Sequence, residues 1–319
     1  MVSPKKCASY DTFLLLKIAM DSSHPQRITS SNRKRKAEDT VLVISKRARF
    51  YAQYYQQNFS MPNSIIFYVA KNPETAKLYL KMVKTCKYFF VKNPIIIIPS
   101  LNGNGGEWRS GYVQLNLSKY NCKYWITDEI YASARGFVDK NILSPIIPKL
   151  YQYDVKHLYL SDQIISYHDL SLIITSAEQI DFINVTVKHA DSSDVSLEDI
   201  IAIAVNAKHV YVNKPTITSK TMKELTKLPH FTKLDYFILC NLSEVFNIDA
   251  FYSYMKKNRH TKFYIRFDEQ VSDAFKNRLE TIVDEILETK EFNYIPPVIY
   301  FTGLGSQKYG KLCEIAFSH

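Results

Sequence analysis

The sharpest candidate for chemistry in this sequence is Gly305-Ser306-Gln307-Lys308-Tyr309-Gly310-Lys311, directly after the apolar run Val298 to Phe301. Glycines and a lysine at that spacing cradle phosphates when backbone N–H groups converge at the start of a long helix. Leu312 stands where a Ser or Thr would hold magnesium, and seven residues follow it, too few for such a helix. The segment therefore reads as a turn near the C-terminus. Asn102-Gly103-Asn104-Gly105-Gly106 fits no GxGxxG frame and reads as a turn before Trp108. The eight histidines form no HExxH, and no GxSxG occurs. Glu280, Asp284, Glu285 and Glu288 fall on the solvated side of a predicted helix. No catalytic residue, metal ligand or cofactor is assigned, and the chain reads as a non-enzyme.

The chemistry that remains is that of contact. His157 and Tyr159, Phe182 and Asn184, His209 and Tyr211, Tyr236 and Ile238, and Tyr264 and Arg266 lie at alternate positions of predicted strands. Where the intervening residues point into a core, these face the other side of the sheet. A column of aromatic and imidazole side chains on an exposed sheet has the composition of a protein-binding hot spot. The same residues also suit any strand, because β-structure favours Tyr and Phe.

These strands form a repeat. Val155-Lys-His-Leu158-Tyr-Leu160, Ile180-Asp-Phe-Ile183-Asn-Val185, Ala207-Lys-His-Val210-Tyr-Val212 and Leu234-Asp-Tyr-Phe237-Ile-Leu239 share apolar first, fourth and sixth positions. Their starts are 25, 27 and 27 residues apart; Lys262 to Phe267 follows, and Val298 to Phe301 closes the series. Helices are predicted between them at Asp169 to Ala177, from a capping Ser196, at Ser219 to Leu228, Asn247 to Lys257 and Ser272 to Glu288. A strand and a helix at that period predict an α/β fold, an irregular leucine-rich-repeat-like solenoid with a parallel sheet. The Asn or Cys that such repeats carry after the strand is missing: the positions hold Gln163, Lys188, Pro215 and Leu242.

The positive charge lies elsewhere. Residues 1–60 hold eleven Lys/Arg against four Asp/Glu, so they carry +7 of the net +10 and leave the rest near neutral. Residues 1–55 are expected to be a disordered basic tail, since too little apolar surface is available to offset the entropy of ordering it. Arg33, Lys34, Arg35 and Lys36, then Lys46, Arg47 and Arg49, have the spacing of a bipartite import signal for an import receptor. A nucleic-acid-associated role through this tail is the second reading. The five cysteines form no CxxC pair, and no run approaches the ~18 apolar residues of a membrane span. The expectation is an intracellular protein, nuclear or cytoplasmic, without membrane contact.

Residues 56–98 read as a helical hairpin, with 99–319 as the α/β domain. Ser60 caps the first helix, Pro62 sits in its first turn, and Ile65, Ile66 and Val69 share a face. Asn72-Pro73-Glu74 separates a second helix that runs to Asn93-Pro94. Met61-Pro62, Ile65-Ile66, Val69, Leu78-Tyr79-Leu80 and Met82-Val83-Lys84-Thr85-Cys86-Lys87-Tyr88-Phe89-Phe90 resemble an F-box, here of the nematode F-box-like kind with a degenerate leucine-rich-repeat tail. The chain has Met for the family's first Leu and Phe89-Phe90 in place of its Trp. The resemblance implies docking on a Skp1-type adaptor through Met61, Pro62, Ile65, Ile66, Val69, Leu80 and Val83. It also implies presentation of a protein substrate to a cullin-type ubiquitin ligase; a repeat scaffold outside ubiquitin chemistry is the alternative.

Overall fold

A computed structural model describes residues 58–104, 106–117 and 121–318; the basic tail and the import-signal residues Arg33 to Lys36, Lys46, Arg47 and Arg49 lie outside them. The chain divides into two compact units. Among the described residues the first comprises 58–98 with 114–117, 121–127 and Lys149–Gln152. The second comprises Pro99–Val113, Asp128–Pro148 and Tyr153–His319. Together they are mixed α/β, with a large and mostly parallel sheet.

The first unit begins with three helices, α1 (Asn63–Lys71), α2 (Ala76–Thr85) and α3 (Lys87–Lys92). Pro62 occupies the N-cap of α1 and its carbonyl accepts from Ile65 N and Ile66 N, so the helix starts two residues beyond the expected Ser60 cap. Thr75 caps α2 by accepting from Leu78 N at 3.1 Å. The second predicted helix is broken in two, because Cys86 is extended (φ −150°, ψ 126°) and its Sγ caps Tyr88 N. That break turns Cys86 and Phe89 onto Ile66, Ala70 and Met82, with Phe59, Val69 and Tyr88 around them. A second cluster joins Tyr79 to Ile95, Ile97 and Trp125. Tyr79 is fully buried; its hydroxyl donates to Asn93 O at 2.5 Å and accepts from Ile95 N at 3.2 Å.

Strands β1 (Ile95–Asn104), β3 (Val113–Leu115), β4 (Lys123–Ser133) and β5 (Leu150–Tyr153) are shared between the units. Of the residues expected to form a turn at 102–106, Asn102, Gly103 and Asn104 belong to β1 and pair antiparallel with β2 (Glu107–Ser110). Gly103 pairs with Trp108 there, and a Cβ at Gly103 would stand 2.5 Å from the indole, so only glycine fits.

In the second unit the order is β4-β6-β8-β10-β11-β12-β13, all parallel. The members beyond β4 are β6 (His157–Ser161), β8 (Gln179–Ile183), β10 (His209–Asn213), β11 (Tyr236–Leu242), β12 (Lys262–Phe267) and β13 (Val298–Tyr300). Two short strands, β7 (Ile164–Ser166) and β9 (Thr186–Lys188), pair separately. The intervening helices are α4 (Tyr167–Ile174), α5 (Leu197–Ile203), α6 (Thr221–Leu225), α7 (Ile248–Met255) and α8 (Asp273–Glu288). Ser166, Asn247 and Ser272 cap α4, α7 and α8.

The helices cover one face of this sheet. Leu158, Ile180, Val210, Phe237 and Phe263 align across it in register, as do Leu160, Phe182, Val212, Leu239 and Ile265. All are buried. Phe251 of α7 meets Phe263 edge-on at 5.2 Å, and Phe231 meets Phe237 at 5.1 Å. Each such ring contributes about 1.5–3 kcal/mol through burial alone.

The register corrects one expectation. The second repeat is framed by Ala177, Ile180 and Phe182, three residues earlier than its sequence pattern indicates. The strand ends because Asn184 is left-handed (φ 53°), which removes Val185 from it. Asp162 (φ 53°), Lys214 (φ 56°) and Asn241 (φ 55°) repeat that conformation at the ends of β6 and β10 and within β11. Asn and Asp adopt it with least strain. They also join neighbouring turns: Asn184 Nδ2 donates to Asp162 Oδ1 at 3.2 Å, and Asn241 Nδ2 to Asn213 Oδ1 at 3.3 Å. Gln163, buried, donates to Ala132 O at 2.5 Å. These side-chain bonds link neighbouring bends, and of the positions where the repeat pattern would put such a residue only Gln163 takes part in them.

The segment 305–311 is not a turn. Ser306–Ser318 form α9, and Lys308 is held by Glu280 at 2.7 Å and Asp284 at 2.7 Å on α8. Two of the carboxylates expected to be merely solvated thus hold the last helix, and Glu285 pairs with Lys256.

Candidate protein-binding sheet face

Opposite the helices, the alternate residues of the parallel strands form three rows. The first carries Glu129, His157, Gln179, His209, Tyr236 and Lys262 in register. The second carries Tyr131, Tyr159, Asp181, Tyr211, Ile238 and Tyr264. In the third, Ser133, Ser161, Ile183, Asn213 and Cys240 are followed by Arg266 beside Tyr300. Residues of the second row are half-buried, side chains standing shoulder to shoulder, whereas Ser133, Ser161 and Cys240 of the third row are buried.

Eight of the ten residues expected on this face lie on it: His157, Tyr159, His209, Tyr211, Tyr236, Ile238, Tyr264 and Arg266. Phe182 does not. It is 1% exposed on the helix-covered side, and Asn184 sits in the turn beyond the strand. The three-residue slip causes both errors, since a shift by an odd number exchanges the two faces of a strand. Gln179, Asp181 and Ile183 occupy the positions instead.

Tyr131 and Asp181 were missed. The signal for Tyr131 is the tetrad Ile130-Tyr131-Ala132-Ser133, which matches Leu158-Tyr159-Leu160-Ser161 and was passed over because β4 precedes the regular spacing. The rings of Tyr131 and Tyr159 are stacked at 4.3 Å. Burial raises the Tyr159 phenol above its ordinary pKa, and Tyr131 and Asp181 raise it further. Burial also raises Tyr211, whose neighbour Cys240 adds to the effect. Both hydroxyls are neutral donors at physiological pH.

Further along the face, His209 meets Tyr236 edge-on at 4.9 Å and stands 3.7 Å from Asp235, which His260 approaches at 2.9 Å. Arg266 lies 5.3 Å above the Tyr300 ring. Tyr309 of α9 packs on Tyr300 at 5.2 Å and brings its hydroxyl 3.4 Å from that of Tyr264. The row is thus bounded at the β13 side by an aromatic cluster.

The first unit has a separate exposed surface. Of the residues assigned there, Met61 is 50% exposed and Ile65 46%, with Pro62 exposed beside them. Tyr68, one turn along, is 68% exposed. Ile66 is buried in the helices' own core, while Val69, Leu80 and Val83 are half-buried against the two clusters. At helical spacing Ile65 and Tyr68 share an exposed side of α1, turned away from Ile66 and Ala70, and Met61 is exposed just before the N-cap.

Among the described residues no group of three or more His, Cys, Asp or Glu is placed to hold a metal, and no helix is long and apolar enough to cross a membrane. No family model, curated protein or solved structure matches the chain.

Proposed function

We propose that this chain is a protein-binding adaptor, with the open sheet face holding a target and the exposed side of α1 docking a second protein. The observation that carries the reading is the row Tyr131, Tyr159, Asp181, Tyr211, Ile238 and Tyr264, continuous across six strands on the side opposite α4 to α8, with Tyr309 of α9 meeting Tyr264 at its end. Tyrosine supplies large, rigid contact area at low entropic cost together with a hydroxyl that finds a partner when buried. Strand–helix units stacked in chain order, as in leucine-rich repeats, present such a surface as one continuous strip.

The F-box resemblance supplies the identity of the second partner. On that reading Met61, Pro62 and Ile65, joined by Tyr68, engage a Skp1-type adaptor and link the target to a cullin-type ubiquitin ligase. A specific observation favours the alternative of a plain repeat scaffold: Ile66, Val69, Leu80 and Val83, four of the seven residues the resemblance assigns to docking, pack within the unit's own clusters. Co-expression with a Skp1-type protein separates the two. Ile65→Asp should abolish co-purification and leave the fold intact, because Ile65 is exposed. Ile66→Asp is the wrong variant, since it places a charge in a core. Failure of the wild-type chain to co-purify would remove the ubiquitin reading and leave the scaffold.

A further inference from the structure

Asp181 stands in the middle of the tyrosine row, with Tyr159 its register partner on β6 and Tyr211 its register partner on β10. Adjacent strands lie about 4.8 Å apart, so the carboxylate is bracketed by two phenol rings. Its charge is felt by both, since it raises the pKa of each phenol. Gln179 Nε2 donates to Oδ2 at 2.9 Å and thereby orients the group. Among the described residues Asp181 has no ion-pair partner, whereas Glu178, Asp194, Asp235 and Asp249 all have one.

Across the paired stretches of β4, β6, β8 and β10 the open-face positions carry Glu129 and Asp181 as carboxylates and no lysine or arginine, with His157 and His209 in the neighbouring row. The cations of the face, Lys262 and Arg266, stand on β12, where Arg266 is already engaged by Tyr300. A carboxylate between aromatic rings attracts a cation twice, through its charge and through the negative faces of the rings. A neutral or acidic side chain would gain neither.

We propose that Tyr159, Asp181 and Tyr211 form a cation subsite that receives a lysine or arginine side chain from a protein partner lying across the sheet. The inference rests on the sheet-face reading and names the chemistry of its target: a segment with a basic anchor. It places the selectivity of the face in one residue, with the flanking tyrosines supplying area.

The test titrates the full-length chain, with isotope-labelled tyrosine rings, against short Gly/Ser peptides that differ only in a central pair of Arg, Lys, Gln or Glu. The Arg and Lys peptides should shift the Tyr159 and Tyr211 resonances, identified by Tyr→Phe variants, while the Gln and Glu peptides should not. Asp181→Asn, which keeps size and hydrogen bonding, should weaken the Arg peptide at least about tenfold. Equal affinity for the Asp181→Asn protein, or an equal response to the Glu peptide, would overturn the subsite. Carbodiimide coupling of Asp181 to Lys34, Lys36 or Lys46 of the same chain would identify an intramolecular occupant and overturn the assignment to a partner. If partner capture survives Asp181→Asn but is lost when the tyrosines are removed, the cation subsite fails and the sheet-face reading stands.

Discussion

Tyr131 and Tyr159 are stacked, their ring centroids 4.3 Å apart and their planes within 4° of parallel. They come from β4 and β6, which meet in parallel register with Tyr131 opposite Tyr159. Two aromatic side chains held this way hold each other in place and have little rotamer freedom left to lose on binding.

The two sides of the sheet should respond differently to the same truncation. Phe182→Ala empties a site on the buried side and should cost about 3–5 kcal/mol in urea unfolding. Tyr159→Ala removes a half-buried ring that stacks on one neighbour and should cost about 0.5–1.5 kcal/mol. Comparable losses for the two would mean the tyrosine face is covered.

That contrast also marks where the sequence could be read and where it could not. The main strands and the helices α4 to α8 from Val155 onward follow from apolar spacing and from helix starts such as Asn247 and Ser272, whereas α9 falls where a turn is expected and β7 and β9 have no counterpart in the pattern. The register of β8 did not follow. Ala177-x-x-Ile180-x-Phe182 and Ile180-x-x-Ile183-x-Val185 satisfy the same pattern, and what decides between them is the left-handed turn at Asn184. With the true register, residues on the same column recur after 22, 30, 27 and 26 positions (Leu158, Ile180, Val210, Phe237, Phe263), less evenly than the sequence pattern suggests. Strand β4 escaped notice because Lys123–Ser133 lies outside the repeat, and with it went Tyr131. In the first unit, the break at Cys86 depends on a thiol capping Tyr88 N, which helical periodicity does not encode.

Acid should loosen the side-chain bonds at the strand ends. The Ser161 hydroxyl, 2.9 Å from Asp162, holds that carboxyl below its ordinary range, and Asn184 adds to the effect. A depressed folded-state value means that Asp162 contributes stability fully above its unfolded value of about 3.9 and loses it as pH falls through the lower folded value. Urea midpoints should therefore drop between pH 6 and pH 2, and by less in Asp162→Asn, which keeps a residue suited to φ 53°. An identical drop in the variant would assign the acid sensitivity elsewhere.

The Tyr79 hydroxyl is a structural pin of the first unit. Tyr79→Phe leaves Asn93 O and the buried Ile95 N–H without their partner. The expected loss is about 1–3 kcal/mol in thermal or urea unfolding. A neutral result would show that the hydroxyl contributes nothing to joining α2 to β1.

The most direct test of the central claim compares affinity capture by the full-length chain and by a Tyr131→Ala/Tyr159→Ala/Tyr211→Ala variant of verified fold, quantified by mass spectrometry. A binding face made of these rings predicts a defined set of proteins enriched by the wild-type chain and depleted at least about tenfold by the variant. Recovery of the same proteins at the same level by both would contradict it.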